Sequence, residues 1–203
     1  KDDTELLSTL RAREDTPLTP TSPYAASKAA GDMHLLSIFK TQNFRMNIIR
    51  PSNAYAPGQQ LYRILPRAII CGLSGQKLPL HGGGVAQKSY IHAKDLSEAI
   101  YMVAKKGPLG KVYNVGPNEP VTIRHLVELA AKAMNIPFET LCTVTPPRFG
   151  EDAIYWLDST AIKKDLGWEP RVSLEKGVEE MVAWGRKYIK DLTALPQTYT
   201  FHA

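Results

Sequence analysis

An alternation constrains this chain most: short apolar runs trade places with longer helix-like stretches from Pro23 to about Asp191. The first 22 residues are polar and broken by Pro17 and Pro20, and Ser22-Pro23 is an N-cap with proline at the first helical position. A helix is therefore predicted from Pro23 to about Gln42. Arg45 to Arg50 reads as a strand, and Pro51 to Gly58 as a loop leaving its carboxyl end. A helix from about Leu61 to Leu73 follows. Strands near Leu78 to Leu80 and Lys88 to His92 flank Gly82-Gly83-Gly84, which reads as a hairpin loop. Ala93 to Lys105 is helical, Lys111 to Val115 a strand, and Thr122 caps a helix to about Met134. Phe138 to Val144 alternates as a strand does. Asp158 caps a short helix closed by Gly167, Ser173 caps the last long helix, and residues 192–203 form a tail. The pattern is α/β, an organisation that places ligands at the carboxyl ends of its strands.

One part of a nucleotide-binding α/β fold is missing. Its usual sign is a glycine-rich turn from strand to helix, whose amides hold a pyrophosphate. The run Gly82-Gly83-Gly84 precedes a strand instead, so the glycine-rich half of such a fold is absent from these residues. With 203 residues and 43% apolar composition, the chain is long enough for one large domain, or one and a half smaller ones, with a real core. The net charge of +5 allows an anionic partner, but the bases are scattered, which suits a phosphorylated small molecule as well as nucleic acid. Cys71 and Cys142 lack the spacing of a disulfide framework or zinc site. His34, His81, His92, His125 and His202 show no ligand spacing, so no metal is expected. With no apolar leader and no membrane-length apolar run, a soluble, cytoplasmic protein is expected.

Tyr24 and Lys28 stand four residues apart in the first predicted helix. Positions so spaced share a helix face, where an ammonium favours the phenolate form of a neighbouring phenol and makes it a usable base. Tyr101 and Lys105 repeat the spacing, so spacing alone does not select a site. Ala25, Ala26, Ser27, Ala29, Ala30 and Gly31 around the first pair leave room for a cofactor, whereas Ile100, Met102 and Val103 around Tyr101 predict core packing.

Ser22-Pro23-Tyr24-Ala25-Ala26-Ser27-Lys28-Ala29 and then Arg50-Pro51-Ser52-Asn53-Ala54-Tyr55-Ala56-Pro57 resemble successive signatures of the extended short-chain dehydrogenases that modify nucleotide sugars. The likeness is greatest to the nucleotide-diphosphate-glucose 4,6-dehydratases of the dTDP-glucose type. It continues through Leu65-Pro66, residues 75–84 and 89–95, Tyr113-Asn114-Val115-Gly116, Pro147-Arg148-Phe149-Gly150-Glu151-Asp152 and residues 165–170, spanning about residues 14 to 190. The resemblance implies the carboxyl-terminal part of a Rossmann-type parallel sheet (residues 1–60), a small α/β substrate-binding domain (mainly residues 61–191), and NAD as cofactor.

It also implies roles. Tyr24 would take the sugar hydroxyl proton while hydride passes to NAD, and Lys28 would hold the nicotinamide ribose. Pro51 and Ser52 would border the nicotinamide. Asn53 and Arg148 would bind the substrate diphosphate, Arg148 through its fork of donors. Leu65 falls within a matching substrate-binding stretch. Lys88 stands where many relatives carry a phosphate-contacting arginine, and Tyr90 either lines the same site or packs within its strand. The acid and base that a dehydratase needs for water elimination lie upstream of a segment like Lys1 to Asp15. Asp32, Asp95 and Asp152 read instead as helix surface, helix N-cap and solvated loop. Ala56 and Ser89 depart from the usual glycine and aspartate, which favours the related 4-epimerases. A non-catalytic nucleotide-sugar-binding module is a further alternative. The resemblance implies a homodimer for the intact enzyme, and neither nucleic acid nor membrane as partner.

Overall fold

The structure, a computed structural model, describes residues 11–117, 119–147 and 153–198. Helix α1 (Pro23–Gln42) leads into strands β1 (Ile48–Pro51) and β2 (Asn53–Tyr55), helix α2 (Ile64–Ser74) and strand β3 (Leu78–His81). Next come β4 (Gln87–Lys88), β5 (Tyr90–His92), α3 (Ala93–Lys106), β6 (Val112–Val115), β7 (Val121–Thr122) and α4 (Ile123–Met134). The chain finishes through α5 (Phe138–Leu141), β8 (Cys142–Thr145), β9 (Ile154–Tyr155), α6 (Thr160–Leu166) and α7 (Leu174–Ala194). Pairing is mostly parallel: β1 with β6, β2 with β5, β3 with β8, and β4 with β9, while β4 also meets β7 antiparallel. The fold is α/β with parallel sheets, as the alternation predicts.

Local signals place the helices. Ser22 Oγ accepts the amide of Ala25 at 3.2 Å, Thr122 Oγ1 that of His125 at 3.0 Å, and Ser173 Oγ that of Lys176 at 3.3 Å. Each hydroxyl satisfies an otherwise orphaned first-turn donor. Asp158 Oδ1 accepts the amide of Thr160 at 2.7 Å, so it does cap α6, although Ser159 holds the N-cap backbone position.

Other expectations need correction. The strands flanking Gly82-Gly83-Gly84 do not pair with each other, so this is no hairpin. The three glycines form one tight turn at positive φ, and a Cβ on Gly84 would stand 2.8 Å from the amide of Arg124, an approach only glycine permits. Phe138 to Leu141 is a helical turn, with the Pro137 carbonyl accepting from Thr140 and Leu141, and only Cys142 onward is extended. Asn53 to Tyr55, expected within a loop, is strand β2. The single strand expected over Lys88 to His92 breaks at Ser89, whose amide serves Tyr155 while its carbonyl serves Asn53. Asp95 is no N-cap: His92 Nδ1 takes that role, while the buried Asp95 carboxylate accepts the amide of Val172 at 3.0 Å. Tyr101, expected in the core, is 63% exposed. The last helix extends through Ala194 and buries Leu192, within the expected tail.

Two apolar clusters hold the molecule. One packs α2, α4 and α7 together through Leu65, Ile69, Leu126, Ala130, Val178 and Met181. The other lies between the parallel strands, α3 and α6, and contains Ile91, Val103, Tyr113, Val115, Ile162 and Trp168. Tyr55 links β2 to the first cluster. The hydroxyl end of its ring abuts Gly177 of α7, where a Cβ would come within 2.8 Å of two ring carbons, and the ring meets His92 edge-on at 5.4 Å. By contrast α1, 20 residues long, buries none of its side chains.

Candidate functional site

The exposed helix α1 carries Tyr24 and Lys28 near its start. Lys28 Nζ lies 5.5 Å from the centre of the Tyr24 ring, and the phenol is 72% exposed. Lys105 and Tyr101 reproduce this contact at 5.9 Å, as identical spacing on a helix requires. Connection to the rest of the fold separates the two pairs. Asp32, one helical turn beyond Lys28, accepts from Arg50 Nε at 2.6 Å. Arg50 belongs to β1, so the ion pair fastens the Tyr24 helix to the strand leading to Pro51, Ser52 and Asn53. The expectation that Asp32 is plain helix surface is corrected by this pair.

At the carboxyl end of β1, Ser52 is buried, its amide bound to the Val115 carbonyl at 2.8 Å. Its side chain rests against Gly116, where a Cβ would lie 2.8 Å from Ser52 Oγ. Asn53 donates twice to one acceptor: its amide and its side-chain Nδ2 reach the Ser89 carbonyl at 3.1 and 3.2 Å. That grip fixes the carboxamide plane, leaving its other donor hydrogen and its oxygen for a ligand. The Pro51 carbonyl accepts from the Tyr155 hydroxyl at 3.3 Å. Sequence reasoning missed both Tyr155 and the Ser89 carbonyl. Both act through pairings across the sheet, and no local signal marks them.

The remaining expected residues fall out as follows. Lys88 is half-buried on β4, opposite Val121 and Tyr155. Tyr90 is half-buried on β5, packs against the first apolar cluster, and borders a cavity of about 320 Å³ shared with His92, Asp95 and Val172. The Leu65 side chain is 1% exposed within the first apolar cluster, where packing rather than an open surface holds it. Arg148 and Asp152 lie outside the described residues. No group of three metal-ligating side chains gathers among the described residues.

Two other phenols and both thiols are held in their neutral forms by burial. Burial, and then the Asp95 charge, pushes the Tyr55 phenol well above its ordinary range. Burial, and then a bond to Asp165, pushes Tyr113 up to about 12. Cys142 is pushed up to about 11 and Cys71 is raised, in both cases first by burial, so neither thiol is poised to react.

A short strap over residues 11–16 is tied to β1, β6 and the segment from Trp156 to Asp158. Ala12 bonds to Trp156 and Asp158, Glu14 Oε1 accepts the Asn114 amide at 2.9 Å, and Arg50 Nη1 donates to the Glu14 carbonyl at 3.2 Å. Asp158 anchors it, 3.5 Å from Arg11. Burial pushes the Asp158 carboxyl up, but bonds from Thr160 and the Arg11 and Arg13 charges outweigh this and hold it below the usual range. A folded value below the unfolded one, about 3.9, gives stability that is complete above about pH 5 and is lost as pH falls through the folded value. Asp158→Asn should therefore flatten the acid limb of a urea-midpoint against pH curve while leaving its slope above pH 5 unchanged.

Known proteins resemble this chain in sequence and in fold. The chain is 35% identical over 175 residues to the dTDP-glucose 4,6-dehydratase of Streptomyces griseus, an overlap covering 86% of this chain and 53% of that protein. It is 32% identical over 171 residues to a trifunctional UDP-glucose 4,6-dehydratase, 3,5-epimerase and reductase of Arabidopsis thaliana, covering 84% of this chain and 25% of that protein. Among solved structures, dTDP-glucose 4,6-dehydratase from Bacillus anthracis in complex with NAD superposes with a TM-score of 0.84 at 34% identity, covering 90% of this chain and 58% of that one. The UDP-glucose 4-epimerase of Thermotoga maritima, solved with UDP-glucose, gives 0.83 at 27% identity, covering 89% and 58%. The chain thus spans about half the length of the dTDP-glucose dehydratases it matches. No helix among the described residues is long and apolar enough to cross a membrane. Residues 6–181 match the family model described as GDP-mannose 4,6 dehydratase, and with the fold and the relatives in agreement, the chain belongs to that family of nucleotide-sugar dehydratases and epimerases.

Proposed function

We propose that this chain is the carboxyl-terminal portion of an NAD-dependent nucleotide-sugar 4,6-dehydratase of the dTDP-glucose type, working in the cytoplasm as a homodimer when complete. The observation that carries the reading is the Arg50–Asp32 ion pair. It joins the helix of Tyr24 and Lys28 to the strand that ends in Pro51, Ser52 and the pinned Asn53. A proton acceptor and a diphosphate-binding carboxamide thereby belong to one fixed unit.

Tyr24 would accept the proton of the sugar C4 hydroxyl. Lys28 presents an exposed ammonium with no carboxylate partner among the ion pairs of the described residues, a donor that suits a ribose diol. Those features fit the nicotinamide-ribose end of NAD, which when bound supplies reversible two-electron oxidation at C4. Pro51 and Ser52 would border its ring. Asn53 and Lys88 would meet the substrate diphosphate together with Arg148, while Tyr90, the backbone around Leu65, and Tyr155 would shape the same cleft. In this reading the cluster around Trp168 belongs to the cofactor-binding part, and that around Leu126 and Met181 to the substrate-binding part.

Incubating the complete polypeptide with NAD and dTDP-glucose tests this. A 4-keto-6-deoxy sugar nucleotide, recognised by its alkaline ultraviolet absorbance and the loss of one water in its mass, is the expected product. A C4 epimer of unchanged mass would select the epimerase reading instead, which Ala56 and Ser89 favour. Nucleotide-sugar binding without turnover would select a binding module.

A further inference from the structure

Tyr24, Lys28 and Asp32 follow one another at four-residue steps along one face of α1, each step about 6 Å along the axis. The Lys28 side chain can therefore reach back to Tyr24 or forward to Asp32. An exposed carboxylate one turn away competes with an exposed ring for an ammonium, at about 0.2–0.5 kcal/mol against about 0.5–1 kcal/mol. In the structure the ammonium lies over the Tyr24 ring, and Asp32 is engaged elsewhere: Arg50 Nε holds Asp32 Oδ2 at 2.6 Å, with the two side chains only 19% and 21% exposed. Arg50 is itself fixed from a second side, by Nη1 on the Glu14 carbonyl at 3.2 Å. The second dyad makes the contrast. That helix ends at Lys106 with Gly107 extended, so no helical position one turn beyond Lys105 exists to carry a competing carboxylate.

We propose that Arg50 is a positioning residue for Lys28: by occupying Asp32 it removes the competing carboxylate and leaves the ammonium to the Tyr24 phenol. The value of that contact for turnover rests on the proposed function, but the contact itself does not. A role limited to bracing α1 against β1 is distinguishable, because it would be lost whichever end of the ion pair is removed. Sequestration makes the opposite demand: once Arg50 is gone, removing Asp32 as well should return Lys28 to Tyr24.

Proton NMR of the chain reads this directly, through cross-relaxation between the Lys28 ε-methylene and the Tyr24 ring, with Lys105 and Tyr101 as internal reference. In Arg50→Ala the Lys28–Tyr24 intensity should fall to about half, the effect of admitting one i,i+4 ion pair as a rival. In Arg50→Ala with Asp32→Asn it should return to the parental level, and Arg50→Lys should keep it. An unchanged intensity in Arg50→Ala, or no recovery in the double variant, overturns the proposal. Should Arg50→Ala fail to fold, Asp32→Asn alone decides: the contact must persist there, and its loss refutes sequestration. A complete polypeptide without dehydratase turnover would sink the proposed function while leaving this NMR pattern standing.

Discussion

On the proposed function, Tyr24→Phe is expected to lower dehydratase turnover of the complete polypeptide by about 10²–10⁴-fold, the range over which a positioned acid or base accelerates proton transfer. Folding should be almost untouched. The phenol is 72% exposed and its hydroxyl is not needed by any buried neighbour, so the change in unfolding free energy should stay within about 0.5 kcal/mol. Tyr101→Phe is the control. It removes the same group from an equally spaced tyrosine and lysine, at a site 63% exposed, and should alter neither stability nor turnover. Steady-state rates and urea unfolding on both variants separate chemistry from folding. Equal losses of turnover in the two would remove Tyr24 from the mechanism.

The second large effect is on stability. Trp168, 2% exposed, fills the cluster formed with Ile91, Tyr113 and Ile162, and its indole Nε1 donates to the Asp95 carbonyl at 3.2 Å. Trp168→Ala should cost about 3–5 kcal/mol through lost burial and the cavity left behind. Against a typical domain stability of about 5–15 kcal/mol, that leaves little in reserve. Trp168→Phe keeps most of the apolar bulk but removes the indole donor from the Asp95 carbonyl, and should cost about 1–2 kcal/mol. Urea midpoints for both, with unchanged m-values, check the ordering. A smaller loss for alanine than for phenylalanine would contradict the packing described.

Short-range chemistry was legible in the sequence and long-range pairing was not. Ser22, Thr122 and Ser173 announce their helices because a cap bonds within three residues of itself. The alternation of Phe138 to Val144 misled because four residues of helix following Pro137 offer too few positions to distinguish periods of two and 3.6. Asp95 and Asp32 could not be placed because their partners, Val172 and Arg50, are remote in sequence and adjacent only once folded. The site divides the same way. Spacing foretells the Tyr24–Lys28 contact and equally the Tyr101–Lys105 contact, and it is the small residues around Tyr24 and the signatures through Pro51 and Asn53 that select the first. The Ser89 carbonyl that orients Asn53 is backbone, which no side-chain pattern reveals.

The parallel pairing of β1 with β6 also sets an order of events during synthesis. Ile48 meets Val112, 64 residues later in the chain, so the strand leaves the ribosome well before its partner exists. At about 5–20 residues per second, that interval is about 3–13 s. Throughout it, the edge of Ile48-Ile49-Arg50 stands unpaired, a state prone to association with other nascent chains. The neighbouring β2 waits a shorter time, since Asn53 needs only Tyr90. Slowed elongation between Gln59 and Lys111 should therefore lower the yield of soluble protein more than the same pause placed after Val115.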